Sequence, residues 1–449
     1  MPFAQVHYPF DNKEWFEEHF PADFIVEYIN QTRGWFYTLH VLAGALFDKP
    51  AFNNVICHGI LLAEDGAKLS KKLRNYTEPT RIFEAQGADA LRWYFMSSSI
   101  VRGGDSRISD QAIDDVVRQV INPIWNAYSF FTLYANIDEY RASWSINQTN
   151  LLDRYILAKT HALVNDVTTA MDSYDLPSAT GEIRKFIDAL NNWYIRRSRD
   201  RFWSPSKPSD DKDKQDAYDT LFTVLETLCR LSSPFLPMIT EEIFLGLTDE
   251  KSVHSQNWPS ADHFPKDANL VSAMDRTRDV VSTALRLRED AALRVRLPLN
   301  KITIAGNGSN SLKDFESLIK DEVNIKSVQF SEDIQNFATL SLKPDGKLLG
   351  PRLGEKVQEV FAAAKSQKWE WLSEGKVKVG EHILAQDEYE LFLVANDGIT
   401  AASLPGNTAI VVLDTEITPE LMDEGKARDT VRAIQEARKN QGLVLTDRI

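Results

Sequence analysis

A lysine-rich segment is the part of this sequence whose residue types and spacing could do chemistry. Residues 63–76 read AEDGAKLSKKLRNY, so an Asp-Gly turn signal is followed at once by clustered cationic side chains. The apolar run at 54–62, which has the length and the β-branching of a strand, precedes that turn. Ammonium groups held on such a loop could stabilise the charge that builds on a polyphosphate as pyrophosphate leaves. Because lysine-rich turns are also common at protein surfaces, spacing alone leaves a solvated basic loop as the alternative.

The elements that must position this loop follow from the apolar pattern around it. The pattern predicts a short buried strand at 24–26, a helix at 31–47, a second strand at 55–62, and a helix at 80–95 that is interrupted at Gly87. Strand, helix, strand and helix in this order are typical of a βαβ unit. The sequence therefore predicts part of a nucleotide-binding α/β domain, with the lysine loop following its second strand.

Length and composition describe a soluble globular protein. A chain of 449 residues predicts two to four domains of about 150 residues each. Apolar residues make up 43% and charged residues 26%, which is ordinary for a globular chain. No apolar run approaches ~18 residues, so we predict no transmembrane helix. No basic region followed by an apolar core opens the chain, so we predict no signal peptide and a cytoplasmic location.

Cysteine usage and net charge narrow the possible ligands. Cys57 and Cys229 are far apart in apolar contexts, which indicates reduced core residues. No Cys or His spacing suggests zinc, so we predict no metal site in this chain. The net charge of −14 does not point to nucleic acid, although a local basic patch is sufficient for binding it.

The lysine segment is similar to a known family signature. Lys68-Leu69-Ser70-Lys71-Lys72 resembles the K-M-S-K-S element of class I aminoacyl-tRNA synthetases. Leu69 replaces methionine, which conserves volume, whereas Lys72 replaces the final serine and adds a charge. The resemblance implies that Lys68, Ser70 and Lys71 are catalytic, with Lys71 also contacting ATP.

An upstream segment indicates which amino acid is activated. Residues 27–36, EYINQTRGWF, resemble the E-x-x-D-Q-T-R-G-W-F segment of isoleucyl-tRNA synthetases, with asparagine where the family has aspartate. The resemblance implies that Glu27, Gln31 and Trp35 line the adenylate site. His58 and Gly59, on the strand that leads to the lysine loop, are assigned to the same ATP and adenylate site. Trp35 also fits the apolar stripe of a helix, and this alternative stays open.

A second candidate site combines arginines with aromatic residues. Arg196, Arg197, Arg199 and Arg201 lie within six residues, close to Trp193. Arginines between aromatic residues suit phosphates and stacked bases, so these five residues are predicted to contact tRNA. The alternative is a buried helix whose arginines pair with acidic neighbours and cover apolar surface with their stems.

The rest of the chain resembles the same family in order. Residues 1–105 resemble the C-terminal half of a Rossmann-like class I catalytic domain, which ends with a G-A-D-x-L-R segment at 87–92. Residues 106–265 resemble the α-helical anticodon-binding bundle, with its S-P-F-x-P segment at 233–237 and an exposed loop predicted at 204–215. Residues 266–449 are predicted to form a small α/β C-terminal domain that is truncated.

Together these resemblances imply the C-terminal part of an isoleucyl-tRNA synthetase. The complete enzyme joins isoleucine to ATP, with Mg²⁺ accompanying the nucleotide as substrate, and passes isoleucyl to tRNA(Ile). The sequence contains no H-x-G-H element of the class, so the chain by itself is expected to be inactive, and both of its ends are expected to be cut. A monomer that does not bind membranes is expected. A tRNA-binding module without catalysis and part of a valyl-tRNA synthetase are the alternatives, the latter disfavoured by residues 31–36.

Overall fold

A computed structural model describes residues 2–372 and 375–442 of the protein. The chain forms two compact units, which divide between Ala268 and Asn269. The first unit contains the lysine segment and the arginine segment. The second unit contains most of the strands in the described residues.

The first part of the first unit, up to residue 107, contains short helices around two pairs of parallel strands. Its elements are α1 (Pro2–Gln5), α2 (Lys13–His19), β1 (Ala22–Tyr28), α3 (Trp35–Phe47), β2 (Phe52–His58), β3 (Leu61–Leu62), α4 (Pro79–Ala85), α5 (Ala88–Ser97) and β4 (Ser106–Arg107). β1 pairs with β2, and β3 pairs with β4. Gly87 separates α4 from α5 with φ +89°, a conformation that suits glycine, which confirms the interruption predicted there. The predicted strand at 55–62 is divided into β2 and β3 at Gly59 and Ile60.

The second part of the first unit is helical. Its helices are α6 (Asp110–Val116), α7 (Asn122–Ile137), α8 (Leu151–Asp172), α9 (Leu176–Asp188), α10 (Arg196–Trp203), α11 (Lys212–Ser232) and α12 (Pro237–Leu247). The core between them is rich in aromatic residues, and Tyr155, Tyr194 and Tyr218 are fully buried. The helical prediction for this region is confirmed.

The loop predicted at 204–215 is wrong over its last residues. α11 begins at Lys212 because Asp211 caps it, accepting a hydrogen bond from the backbone N–H of Lys214. The side chain of Lys214 is only 2% exposed. Its Nζ lies 2.6 Å from Asp138 and 2.9 Å from the carbonyl oxygen of Ser204. A sequence pattern cannot reveal such a buried pair, because Asp138 lies on a distant part of the chain.

The second unit combines helices with antiparallel and mixed sheets. Its elements are α13 (Ala268–Asp290), β5 (Leu299–Ala305), α14 (Glu316–Val323), β6 (Ile325–Ser331), β7 (Ala338–Pro344), α15 (Gly346–Leu353), α16 (Val357–Lys365), β8 (Trp369–Trp371), β9 (Val377–Val379), β10 (His382–Leu384), β11 (Tyr389–Ala395), β12 (Thr400–Ser403), β13 (Ile410–Leu413) and α17 (Pro419–Asn440). One sheet has the order β12-β13-β5-β6, another has the order β10-β9-β8, and β11 pairs with β7. Leu349, Val360 and Leu384 are buried in one of its cores.

A buried arginine fixes the start of the second unit. Arg288, near the end of α13, has no solvent exposure. Its guanidinium donates hydrogen bonds to the carbonyl oxygens of Arg294, Leu297 and Asn324. Burial lowers the pKa of Arg288 to about 10. These bonds connect the helix to the loop before β5 and to the start of β6.

Candidate functional site

The lysine segment begins with a tight turn after β3. The N–H of Ala63 donates to the carbonyl oxygen of Ala67 at 2.8 Å, and the N–H of Gly66 donates to the carbonyl oxygen of Ala63 at 2.9 Å. Gly66 has φ +85°, a region that glycine enters without steric cost. The Asp65 side chain accepts from the N–H of Ala67 at 2.8 Å. The turn predicted from the Asp-Gly pair is therefore confirmed, and it sends the chain back toward Lys68.

The three lysines that follow the turn are at the surface. Lys68, Lys71 and Lys72 are all exposed. Within the described ranges, neither Lys68 nor Lys71 has an ion-pair partner. Cations that are exposed and unpaired in this way are free to meet an anion, which is what a polyphosphate site requires.

Backbone contacts hold the segment that carries these lysines. The side-chain amide of Asn75 donates to the carbonyl oxygen of Lys68 at 3.0 Å and accepts from the N–H of Ser70 at 2.9 Å. The hydroxyl of Ser70 accepts from the N–H of Leu73 at 3.3 Å. Ser70 therefore organises the turn, in addition to the catalytic role that the resemblance implies for it. Asn75 is not among the residues that the sequence predicts for the site, although its place three residues after Lys72 is a signal that could have found it.

A cavity lies behind the lysine segment. Its volume is about 470 Å³, and its lining includes Leu69, Ile82, Leu91 and Phe95. Leu69, which stands between the two lysines of the signature, contributes to this apolar wall while Lys68 and Lys71 are exposed. Leu69 therefore faces the cavity while Lys68 and Lys71 face solvent.

Glu27 and His58 lie at the same end of the first strand pair. β1 and β2 are parallel, with Glu27 opposite Cys57 and Tyr28 opposite His58. The rings of Tyr28 and His58 have centroids 5.8 Å apart. Ligands of parallel α/β sheets bind beyond the carboxyl ends of the strands, which is where these residues lie. The structure thus brings Glu27, His58 and Gly59 to one edge.

Gly59 is required by close packing of the backbone. A Cβ atom on this residue would lie 2.0 Å from the carbonyl oxygen of Gly104. Its N–H donates to the carbonyl oxygen of Ile100 at 2.9 Å. The glycine therefore lets the turn at 99–104 pack against the end of β2, whether or not a ligand is bound.

Gln31 and Trp35 are joined to each other at the start of α3. The Oε1 of Gln31 accepts a hydrogen bond from the backbone N–H of Trp35 at 2.8 Å, so it caps the helix. Trp35 is 43% exposed, whereas Phe36 and Leu39 are buried. The helical stripe predicted as an alternative is thus formed by Phe36 and Leu39, and Trp35 remains at the surface beside it.

The arginine segment is divided between the interior and the surface. Arg201 binds the buried Asp153 through two hydrogen bonds of 2.8 and 2.7 Å, and its Nε binds Asp213 at 2.8 Å. The hydroxyl of Tyr194 donates to the same Asp153 carboxylate at 2.8 Å. Burial raises the pKa of the Asp153 carboxyl, and the hydrogen bonds from Arg201 oppose that shift. Arg201 itself is 11% exposed, so its guanidinium is committed to this interior network.

The sequence predicts a tRNA contact for Trp193 and Arg201, and the structure instead buries Trp193 and pairs Arg201 with Asp153 and Asp213. Trp193 is 4% exposed, so its ring is not available for stacking on a base. Arg197 is half-buried, whereas Arg196 and Arg199 are exposed on α10. Because these last two are three residues apart on a helix, they share a face. The surface part of the predicted cluster therefore consists of Arg196 and Arg199.

Two further observations concern membranes and metals. None of the helices in the described part of the chain combines the length and apolar character that a bilayer crossing requires. Among residues 2–372 and 375–442, no group of three His, Cys, Asp or Glu side chains is arranged to hold a metal ion.

Two protein families match this chain. The family of class I tRNA synthetases for I, L, M and V matches residues 1–109, and the anticodon-binding domain of tRNA ligase matches residues 153–303. The first match contains the lysine segment and the edge formed by Glu27 and His58, and the second contains α10. The chain belongs to the class I tRNA synthetases.

Curated proteins similar to this chain over its whole length are isoleucine–tRNA ligases. The chain is 51% identical over 450 residues to the isoleucine–tRNA ligase of Corynebacterium efficiens, and 49% identical over 449 residues to that of Mycobacterium tuberculosis. Each match covers 100% of this chain and 42% of the relative. The chain therefore corresponds to part of isoleucyl-tRNA synthetases, and it spans under half the length of these relatives. The valyl alternative finds no support among them.

A solved structure of another synthetase is similar to part of the chain. Methionyl-tRNA synthetase of Mycobacterium tuberculosis bound by methionyl-adenylate is 19% identical, with a TM-score of 0.44. The match covers 54% of this chain and 47% of that one.

Proposed function

We propose that this chain contributes the lysine loop, part of the adenylate edge and the tRNA-binding surface of an ATP-dependent isoleucine–tRNA ligase. Lys68 and Lys71 carry the proposal, because both are exposed and have no ion-pair partner among the described residues. Both lie on a loop whose backbone is held by hydrogen bonds. ATP with Mg²⁺, isoleucine and tRNA(Ile) are the proposed substrates. A cytoplasmic monomer remains the expected form.

The proposed chemistry is transfer of the adenylyl group to the isoleucine carboxylate. The carboxylate oxygen attacks the α-phosphorus of ATP, and pyrophosphate leaves. Lys68 and Lys71 stabilise the negative charge that develops on the leaving phosphates, where Mg²⁺ entering with ATP would supply further positive charge. No covalent bond to the protein is needed, so the contribution of this chain is positioning and electrostatic stabilisation.

The adenylate is proposed to lie at the carboxyl ends of β1 and β2. Glu27 is exposed there and offers a carboxylate to the ammonium or hydroxyl groups of the adenylate. His58 and Gly59 lie beside it at the end of β2, and Trp35 offers an exposed ring close by in sequence. The Oε1 of Gln31 caps α3 through the backbone N–H of Trp35, so Gln31 also holds the start of the helix that carries Trp35.

The proposed role of Lys71 can be tested in a complete ligase. The matched region of the Corynebacterium efficiens relative would be replaced by this chain, and isoleucyl-adenylate formation would be measured in single turnover. Loss of one preorganised charge-stabilising group typically costs about 3 kcal/mol of transition-state stabilisation, so Lys71→Ala should slow adenylation by a factor on the order of 100 or more. Lys49→Ala, which removes an exposed charge just after α3, is the matched control. An unchanged adenylation rate in Lys71→Ala would overturn the proposal.

Binding of tRNA without catalysis is a second candidate for the 449-residue chain. It is favoured by the match of residues 153–303 to an anticodon-binding domain and by the exposed arginines of α10. Titration of labelled tRNA(Ile) with this chain tests it directly. No binding at low salt, where electrostatic contacts are strongest, would exclude it.

A further inference from the structure

The backbone of the lysine loop is closed by one side chain. Asn75 contacts both Lys68 and Ser70, which lie on either side of Leu69. One amide group thus supplies a donor to a carbonyl oxygen and an acceptor for an N–H, in the manner of a backbone partner in a sheet. No other residue type of similar size has both groups on a short, rigid stem.

The chain between these residues is shaped so that Asn75 can return to the loop. The N–H of Arg74 donates to the carbonyl oxygen of Ser70 at 2.9 Å. Arg74 has φ +51°, in the left-handed region that a residue other than glycine adopts infrequently. This local conformation reverses the chain and directs Asn75 toward Lys68.

This backbone conformation places Leu69 at the cavity and the backbone groups of Lys68 and Ser70 at Asn75. Leu69 lines the cavity beneath the loop, on its apolar side with Ile82 and Phe95. The flanking carbonyl of Lys68 and the N–H of Ser70 are occupied by Asn75. Rotation of this stretch would have to break both hydrogen bonds and withdraw Leu69. The ammonium group of Lys68 therefore starts from a fixed backbone, and the start of the turn that leads to Lys71 is fixed as well.

We propose that Asn75 is a positioning residue for adenylate formation, which it supports by holding the backbone that presents Lys68 and Lys71. This inference rests on the proposed function of those lysines. Asn75 acts through the lysines and is not proposed to contact ATP. A misplacement of about 1 Å in a positioning group can cost a factor on the order of 100 in rate, so the effect should be measurable.

The amide can be tested with two variants. Asn75→Asp keeps the size and one acceptor but loses the donor, and it places a carboxylate oxygen near the carbonyl oxygen of Lys68. Asn75→Ala removes both hydrogen bonds. Asn53→Ala serves as the matched control, because Asn53 is an exposed asparagine on β2. Each variant would be made in the 449-residue chain and in the ligase that contains it.

The first measurement is independent of catalysis. Amide hydrogen exchange in the 449-residue chain should show a protected N–H at Ser70 that exchanges at least about tenfold faster in Asn75→Ala, because the variant lacks the acceptor of that N–H. Thermal melting of that variant should stay within a few degrees of the parent, because the contact is local. If exchange at Ser70 is the same in parent and variant, Asn75 does not hold the loop and the inference is wrong.

The second measurement asks whether Asn75 acts through Lys71. In the ligase, Asn75→Ala should lower the single-turnover adenylation rate by about 10- to 100-fold, with the KM for isoleucine unchanged. In a Lys71→Ala background the same change should have much less effect, because two groups that act as a unit are not additive. Fully additive effects would overturn the inference while leaving the role of Lys71 intact. A ligase insensitive to Lys71→Ala would instead overturn the proposed function itself, and this inference with it.

Discussion

The carboxylate of Asp89 accepts hydrogen bonds from the backbone N–H groups at the start of α12, including that of Ile239 at 2.8 Å. Asp89 lies on α5 and is only 6% exposed. Arg92, also on α5, donates to the carbonyl oxygen of Pro234 at 2.8 Å. Two segments recognised separately in the sequence, G-A-D-x-L-R and S-P-F-x-P, are therefore bonded to each other. The contact connects the end of the α/β region to the helical region within the first unit.

Removing this cap should destabilise the first unit. Asp89→Ala leaves the N–H groups of Met238 and Ile239 without their acceptor, and loss of a helix cap costs about 0.5–2 kcal/mol. We expect Asp89→Ala to have a lower free energy of unfolding than the parent, measured by urea titration with tryptophan fluorescence as the signal. Glu84→Ala, at an exposed position of α4, is the control and should change stability by less than about 0.5 kcal/mol. Equal stability of the two variants would show that the cap contributes nothing.

Arg201 should behave as a structural residue. Arg201→Gln leaves Asp153 buried without its cationic partner, and breaking a buried ion pair from one side costs about 3–5 kcal/mol. The variant should melt well below the parent. At a temperature where it remains folded, the salt dependence of its tRNA binding should match that of the parent. A stable variant with a shallower salt slope would instead place Arg201 at the phosphates.

Arg196 and Arg199 should affect tRNA binding and have little effect on stability. Glutamine keeps much of the arginine stem and has good helix propensity, so Arg196→Gln with Arg199→Gln should leave the melting temperature nearly unchanged. If both contact phosphates, the affinity for tRNA should fall and the slope of log K against log salt should decrease by about one per lost contact.

The control for this pair removes the same charge elsewhere. Lys343→Gln with Lys347→Gln lowers the positive charge of the second unit at two exposed positions. It should leave the salt slope unchanged. If both double variants reduce tRNA binding equally, net charge and not the α10 surface controls binding.

An ion-pair cluster in the second unit should make its stability depend on acid pH. The hydrogen bond from Arg296 to Asp429, at 2.8 Å, lowers the pKa of the Asp429 carboxyl, and Arg294 contributes at 3.0 Å. Because the folded pKa lies below the ordinary value of about 4, this stabilisation is present at neutral pH and is lost as the pH falls through the folded pKa. Asp429→Asn should therefore melt earlier than the parent at pH values near about 7, and the difference should narrow below about pH 4.

The matched control for Asp429 lies on the same helix. Asp423 is 75% exposed and pairs with Lys426 three residues away. Exposed ion pairs contribute little to the free energy of unfolding, so the melting temperature of Asp423→Asn should be close to that of the parent at every pH. If the melting temperature of Asp429→Asn differs from that of the parent by the same amount at every pH, ionisation of Asp429 does not stabilise the fold.

The sequence by itself determined the features that depend on near neighbours along the chain. The Asp65-Gly66 turn, the clustered lysines after it and the helix break at Gly87 all follow from residues within a few positions of one another. Turn chemistry and helix interruption are local, so the order of residues is sufficient to predict them. The family signatures are also short, contiguous stretches, so the resemblance rests on the order of residues alone.

The tertiary structure decided which members of each local cluster face solvent and which are bonded inside. Arg199 and Arg201 are two residues apart on one helix, yet Arg201 is held by Asp153, which lies 48 positions earlier. Asp89 is paired with Ile239, 150 positions later. These outcomes depend on how α8, α10, α5 and α12 pack, and long-range packing is not encoded in the spacing of the arginines or of the acidic residues themselves. The packing of the helices therefore places Arg201 in the interior and leaves Arg196 and Arg199 at the surface.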